Sequence, residues 1–167
     1  MALRGDLTAT FEFEGVDDYI AQLQKLYGDT DKIVGHAVYN GAKTVMKYVK
    51  AGIQSIQTDE GFGTSEHKLA GPPSYVKQGL LRNVGIAKAR HDGTFFNVKI
   101  GFEGYDNVQT ARWPQGRPYS MLARSIESGT SFMAKQPFMR NAETAAKAPC
   151  EMVMKETVDA EIQQIMK

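Results

Sequence analysis

The sequence predicts an α+β domain: a small antiparallel sheet packed against a long central helix, with a C-terminal helix kinked at a proline. Three observations predict it. Leu7, Ala9, Phe11 and Phe13 alternate with Thr8, Thr10, Glu12 and Glu14, the period-two pattern of a half-buried strand. Val34, Val38, Ala42, Val45, Val49, Ile53 and Ile56 recur every three or four residues, the stripe of an amphipathic helix. Phe96, Val98, Ile100 and Phe102 alternate with Asn97, Lys99 and Gly101, a second strand.

Each remaining element follows in chain order. Gly15 ends the first strand, and a short helix is expected from Asp17 or Asp18 to Tyr27, with Tyr19, Ile20, Leu23 and Leu26 on one face. Gly28 stops it, and Asp29 is placed to cap the long helix. Lys32, His36, Lys43, Lys47, Lys50 and Gln54 form that helix's polar stripe, and its apolar stripe is expected to lie on the sheet. A long polar loop follows at about 58–74, punctuated by Gly61, Gly63, Gly71, Pro72 and Pro73. Ser74 is placed to cap a helical turn carrying Val76, Leu80 and Leu81. Val84 and Ile86 then lead into the 87–89 region, and Asp92-Gly93 is the turn of a hairpin. A second irregular stretch runs over about 104–118 and contains Trp113 and Pro114. Pro118 suits a helix start, continued by Tyr119, Leu122, Ala123 and Ile126. Pro137 opens the last helix, with Phe138, Ala142 and Ala145 on one face. Pro149 is expected to kink it. Beyond the kink, Met154, Val158, Ile162 and Ile165 form a stripe on a tail expected to reach toward a neighbour.

Size and charge narrow the function classes. A chain of 167 residues suits a single domain, 1–167, which can bury roughly two thirds of its unfolded surface without a metal or disulfide. Twenty basic residues face nineteen acidic ones, and no third of the chain is strongly basic, which disfavours a duplex-binding role. Cys150 is the single cysteine, so no intramolecular disulfide or cysteine-based zinc site forms, and a helical Cys reads as a small buried apolar residue. No apolar run is long enough to span a bilayer, and Met1–Asp6 lacks a signal-peptide core. The expected location is the cytoplasm, or a particle assembled there.

Candidate chemistry is sparse. His36 lies on a polar helix stripe, His67 in a loop and His91 at a hairpin turn, with no metal-ligand spacing among them. Gly61-Phe62-Gly63-Thr64-Ser65 follows a helix rather than a strand and lacks the lysine of a phosphate loop, so it reads as a flexible loop. Asp17-Asp18 suits a helix N-terminus, and Asp59-Glu60 suits a solvated loop. Ser128 lacks a nucleophile-elbow context. No catalytic residue, metal or cofactor is expected. Phe62, Tyr105, Trp113, Phe132 and Met133 fall in stretches read as loops, where aromatic and Met residues are candidate interface anchors, the alternative being that they fold back on the core. Lys43, Lys47 and Lys50 share a helix face that would touch DNA phosphates if it lined a channel; the alternative is a solvated face.

The segment from Tyr119 to Ala142 carries a resemblance. Tyr119, Glu127, Gly129, Thr130, Pro137, Phe138, Arg140 and Ala142 stand in the order and at the spacing of a Glu-x-Gly-Thr step followed by Pro-Phe-x-Arg-x-Ala at the start of a final helix. This resembles the phage neck and tail-completion (head–tail joining) family typified by gene product ten of phage Hong Kong 97. The upstream order of strand, long helix, Gly-Pro-Pro loop, Gly79-Leu80-Leu81-Arg82-Asn83 and hairpin is also similar to that family, whereas 104–118 aligns with nothing in it. The motif residues read as fold residues: Gly129 for a sharp turn, Thr130 for a local hydrogen bond, Pro137 to start the helix, Phe138 to anchor it. The resemblance implies a non-enzymatic virion protein of a long-tailed phage, a homo-oligomeric ring at the head–tail junction. Its implied partners are further copies of itself, head-connector proteins and tail-tube or tail-terminator proteins, with non-specific contact to DNA in the channel and none to a membrane. A nucleic-acid-binding accessory role through the Lys43, Lys47 and Lys50 face is the alternative.

Overall fold

The computed structural model describes residues 9–10, 28, 30–91, 93 and 95–165. The elements in chain order are β1 (Ala9–Thr10), α1 (Thr30–Ser55), α2 (Ser74–Asn83), β2 (Val84–Ile86), β3 (Arg90–His91), β4 (Phe96–Asn97), β5 (Lys99–Phe102), α3 (Tyr119–Ser128) and α4 (Phe138–Ile165). The fold is α+β. The expected first strand is described only at Ala9–Thr10, and the expected helix at 17–27 and the Asp29 cap lie outside the described residues.

The sheet is antiparallel with strand order β1-β5-β2. Ala9 pairs with Ile100, and Val84, Gly85 and Ile86 pair with Phe102, Gly101 and Ile100. The same hairpin continues outward as β3 on β4, where Arg90 pairs with Asn97 and His91 with Phe96. The register slips by one residue between the two ladders. The first arm therefore carries one extra residue within 87–89, a β-bulge that twists the hairpin tip relative to its base. Gly93, at φ 93°, lies between β3 and β4, in keeping with the expected Asp-Gly turn.

Every apolar residue expected on the long-helix stripe, from Val34 to Ile56, is buried, joined by Ile33 and Ala37. Fully burying one such valine or isoleucine contributes about 1.5–3 kcal/mol. What covers the stripe differs in part from expectation. The sheet and α2 lie against α1, yet its most extensive partner is α4, which runs antiparallel along it. Gly41 makes that approach possible: a Cβ there would stand 2.7 Å from Met154 Cγ and 2.9 Å from Cys150 Sγ.

α4 corrects two expectations. It continues through Pro149 as one helix. The carbonyl that a proline leaves without its helical partner belongs to Ala145, which is exposed, so water can serve it. Its buried face is Phe138, Met139, Ala142, Ala146, Cys150, Met154 and Val158, with Ala146 rather than Ala145 in the stripe. The segment after Pro149 does not reach away. Met154 and Val158 are buried, Asn40 Nδ2 donates to Thr157 Oγ1 at 3.3 Å, and His36 Nδ1 lies 2.9 Å from Glu161 Oε1.

Cys150 is buried, as its sequence context suggests. Burial, followed by the nearby Glu151 charge, pushes its thiol up to about 11. A thiolate is the reactive form. Cys150 is therefore expected to resist thiol reagents at pH 7–8 in the folded protein and to react once urea unfolds it. Rapid labelling in buffer would contradict its place under α1.

Candidate functional site

The two irregular stretches and the turn after α3 are built by side-chain-to-backbone hydrogen bonds. In the first loop, the Asp59 carboxylate accepts from the Gly61 and Ala70 N–H groups, which holds its pKa below the ordinary value. Glu60 Oε1 accepts from both the Ser74 hydroxyl and the Ser74 N–H, and these bonds likewise lower its pKa. Ser74 is thus the first residue of α2 rather than its cap; Pro73 occupies that position, and Glu60 supplies the acceptor. Asp59 and Glu60, expected to be merely solvated, staple the loop.

The motif segment forms the second wall. Leu69 N–H donates to Phe132 O at 2.8 Å and Ala134 N–H to Leu69 O at 2.9 Å, a parallel bridge between the loop and the α3–α4 turn. Gln136 locks the junction: its Oε1 accepts from Gln57 N–H, and its Nε2 donates to Gln57 O and Ala70 O. Gly129 sits at φ 74°, a conformation that glycine adopts without penalty, and a Cβ there would press on Lys135 at 2.9 Å. Thr130 Oγ1 accepts from Phe132 N–H, and Thr130 N–H donates to Met133 O.

Glu127 has a role that spacing alone does not reveal. Its carboxylate accepts from Met139 N–H at 2.8 Å and Arg140 N–H at 3.1 Å. It caps α4 from the end of α3, satisfying two orphan donors and placing a negative charge at the positive end of the helix. Glu127→Ala is expected to lower stability by about 1 kcal/mol in urea unfolding, the usual value of a cap. A loss under about 0.3 kcal/mol would show that water replaces the carboxylate without cost. Among the other motif residues, Tyr119, Phe138 and Ala142 are buried, Pro137 is half-buried just before α4, and Arg140 is exposed. The motif therefore joins α3 to α4 around a capped turn.

The loop at 104–118 holds a constellation that the sequence reading missed. Asp106 is 3% exposed. Its Oδ2 accepts from Arg117 Nη2 at 2.6 Å and Nε at 2.8 Å, and its Oδ1 accepts from Arg117 N–H at 2.8 Å and Val108 N–H at 3.1 Å. Arg117 Nη2 also reaches Tyr75 OH at 2.6 Å, tying the loop to α2. Backbone bonds close the neck, with Asp106 N–H to Arg117 O and Tyr119 N–H to Gly104 O. The one local signal was Asp106-Asn107-Val108, an aspartate whose side chain turns back to the N–H two residues on. The partner eleven residues later has no periodic signature.

On these frames stand the candidate interface residues. Phe62 is fully exposed, Phe132 is 56% and Tyr105 52% exposed. Trp113 is half-buried, with Arg112 over its ring at 5.7 Å to the centroid. Met133 is half-buried and packs on the core, which makes it more a fold residue than a free anchor. Lys43, Lys47 and Lys50 are exposed on α1, and Lys43 Nζ lies 4.8 Å from the Tyr39 ring centroid. The histidines are dispersed: His36 is paired with Glu161, His91 stacks on Phe96 at 4.3 Å, and His67 is exposed in the first loop. Among the described residues no group of His, Cys, Asp and Glu is arranged to hold a metal ion. No helix among them is long and apolar enough to cross a membrane. No protein-family model, curated protein or solved structure matches the chain.

Proposed function

We propose that this chain is a structural virion protein of a long-tailed phage, assembling into a ring at the head–tail junction as a neck or tail-completion protein. The observation that carries the reading is the segment 119–142. Its similarity to the head–tail joining family rests on eight residues, and those residues have a coherent structural task in the capped turn between α3 and α4. A second support is the exposure of Phe62, Phe132 and Tyr105 on loops held by many internal hydrogen bonds. Large aromatics on a preorganised frame bind a partner at low entropic cost. The mechanism is assembly by complementary surfaces, with no catalytic step.

Light scattering of the purified chain across a concentration series tests the reading, a discrete closed oligomer being expected. Should the chain remain monomeric, the decisive assay is its binding to isolated tails and to filled heads; failure to bind either overturns the proposal. One observation favours a second reading, nucleic-acid contact through α1. Between Thr30 and Ser55 the helix carries Lys32, Lys43, Lys47 and Lys50 against the single acid Asp31. Salt-dependent retention on DNA would support it, and a flat response would remove it.

A further inference from the structure

The geometry points to a specific contact between copies: the lysine face of α1 receives the outer, acidic face of α4 from a second copy of this chain. This deepens the ring reading above, on which it rests, by naming the interface.

The chain is close to neutral, yet its two longest helices have opposite poles. α1 carries four lysines and one acid. From Glu151 onward α4 carries Glu151, Glu156, Asp159 and Glu161 against the single base Lys155. Each pole includes a large exposed apolar group, Tyr39 at 43% on the basic face and Met152 at 62% on the acidic one. An apolar centre within complementary charge is the usual composition of a specific protein contact.

One chain does not satisfy both faces by itself. α4 meets its own α1 through Cys150, Met154, Thr157 and Glu161. Helical spacing puts Met152 and Glu156 on the opposite side of α4. On α1, the residues that meet α4 include Gly41 and Asn40, whereas Lys43, Lys47 and Lys50 face solvent. The two faces are different patches, so their pairing is head-to-tail. A head-to-tail contact propagates from copy to copy and closes into a ring when the rotation allows. That is the symmetry which a neck ring requires, reached here from charge placement alone.

Two charge-reversed full-length variants test the contact: Lys43→Glu/Lys47→Glu/Lys50→Glu, and Glu151→Lys/Glu156→Lys. All five positions are exposed, and a thermal melt checks that each variant folds as the parent does. Sedimentation velocity at low salt should show the parent associating and each variant alone weakened by about tenfold or more, because like charges then face one another. An equimolar mixture should associate again, since the acidic α4 of the first variant meets the lysine face of the second, and the basic α4 of the second meets the acidic α1 of the first. Failure of the mixture to recover association overturns the pairing. So does association of both variants equal to the parent's, an outcome that leaves the ring reading standing through another surface. A parent that stays monomeric at every concentration also overturns the pairing, and binding to tails and heads then judges the ring reading separately. If that monomer is retained on duplex DNA, and the lysine variant is not, the α1 face belongs to nucleic acid instead.

Discussion

Asp106→Ala is expected to destabilise the fold by about 3 kcal/mol at neutral pH, the low end for breaking a buried ion pair. The carboxylate is the sole printed acceptor for Val108 N–H, Arg117 N–H and two guanidinium N–H groups, and removing it strands them together. Arg117 still touches water, with 28% of its side chain exposed, which keeps the loss from being larger. The pH dependence separates this pair from a packing effect. Burial alone would raise the Asp106 pKa. The hydrogen bonds from the Arg117 side chain and from the Arg117 and Val108 N–H groups, with the Arg117 charge, outweigh it and leave the folded value below 3.8. A carboxylate depressed in the folded state contributes stability that is complete above its unfolded pKa and is lost as pH falls through the folded one. The stability gap between the wild type and Asp106→Asn should therefore hold from neutrality down to about pH 5 and shrink below about pH 4. Urea unfolding at three pH values measures it. A gap that stays constant into acid would mean that the carboxylate's charge contributes nothing.

How much of this was legible in the sequence depends on the range of the interaction. The stripe from Val34 to Ile56, the alternation from Val98 to Phe102 and the set Tyr119, Leu122, Ala123 and Ile126 are all buried as their spacing predicts. Periodicity reports which face of an element is covered, because burial repeats with the backbone. It does not report the covering element. α1 was expected to lie on the sheet, and α4 takes the larger share; Gly41 and Gly52, where α4 approaches most closely, were the available hint. The expected outward tail failed for a related reason. Proline disfavours a helix by a local rule, yet one lost bond on a solvent-facing side is a small cost beside the burial of Met154 and Val158. Loop contacts were least legible. Asp106 with Arg117, Gln136 with Gln57 and Ala70, and Glu127 with the α4 start join residues 11 to 79 positions apart, and no period links them. The exposed candidates fared unevenly for the same reason: Phe62 and Phe132 stand out in solvent, while Met133, one residue from Phe132, turns into the core.

The second large effect belongs to Phe138→Ala, expected to cost about 3–5 kcal/mol as a buried aromatic truncated in a packed core. Phe138 is 3% exposed in the first turn of α4. Its ring meets Phe102 of β5 edge-on, with centroids 6.3 Å apart and planes at 70°, an arrangement worth about 0.5–1.5 kcal/mol beyond the buried area. Its backbone lies close against α1, where a Cβ on Gly52 would stand 3.0 Å from the Phe138 carbonyl oxygen. The residue thus pins three elements at the point where the capped turn delivers α4 to the sheet. Neighbours held by a helix start, a strand and a tight helix crossing have little room to collapse into the vacated space, which places the cost toward the upper end of the range. Chemical denaturation measures it, and a loss below about 1 kcal/mol would contradict the anchor. Phe62→Ala is the informative contrast. Its ring is fully exposed, so unfolding should shift by no more than about 0.5 kcal/mol. If the ring reading holds, the same substitution should weaken association of folded chains or their binding to tails. A pair in which Phe138 governs folding and Phe62 governs assembly would separate the residues that build this subunit from those that join it to its neighbours. Equal effects of the two on folding would instead place the first loop in the core and withdraw Phe62 as an interface residue.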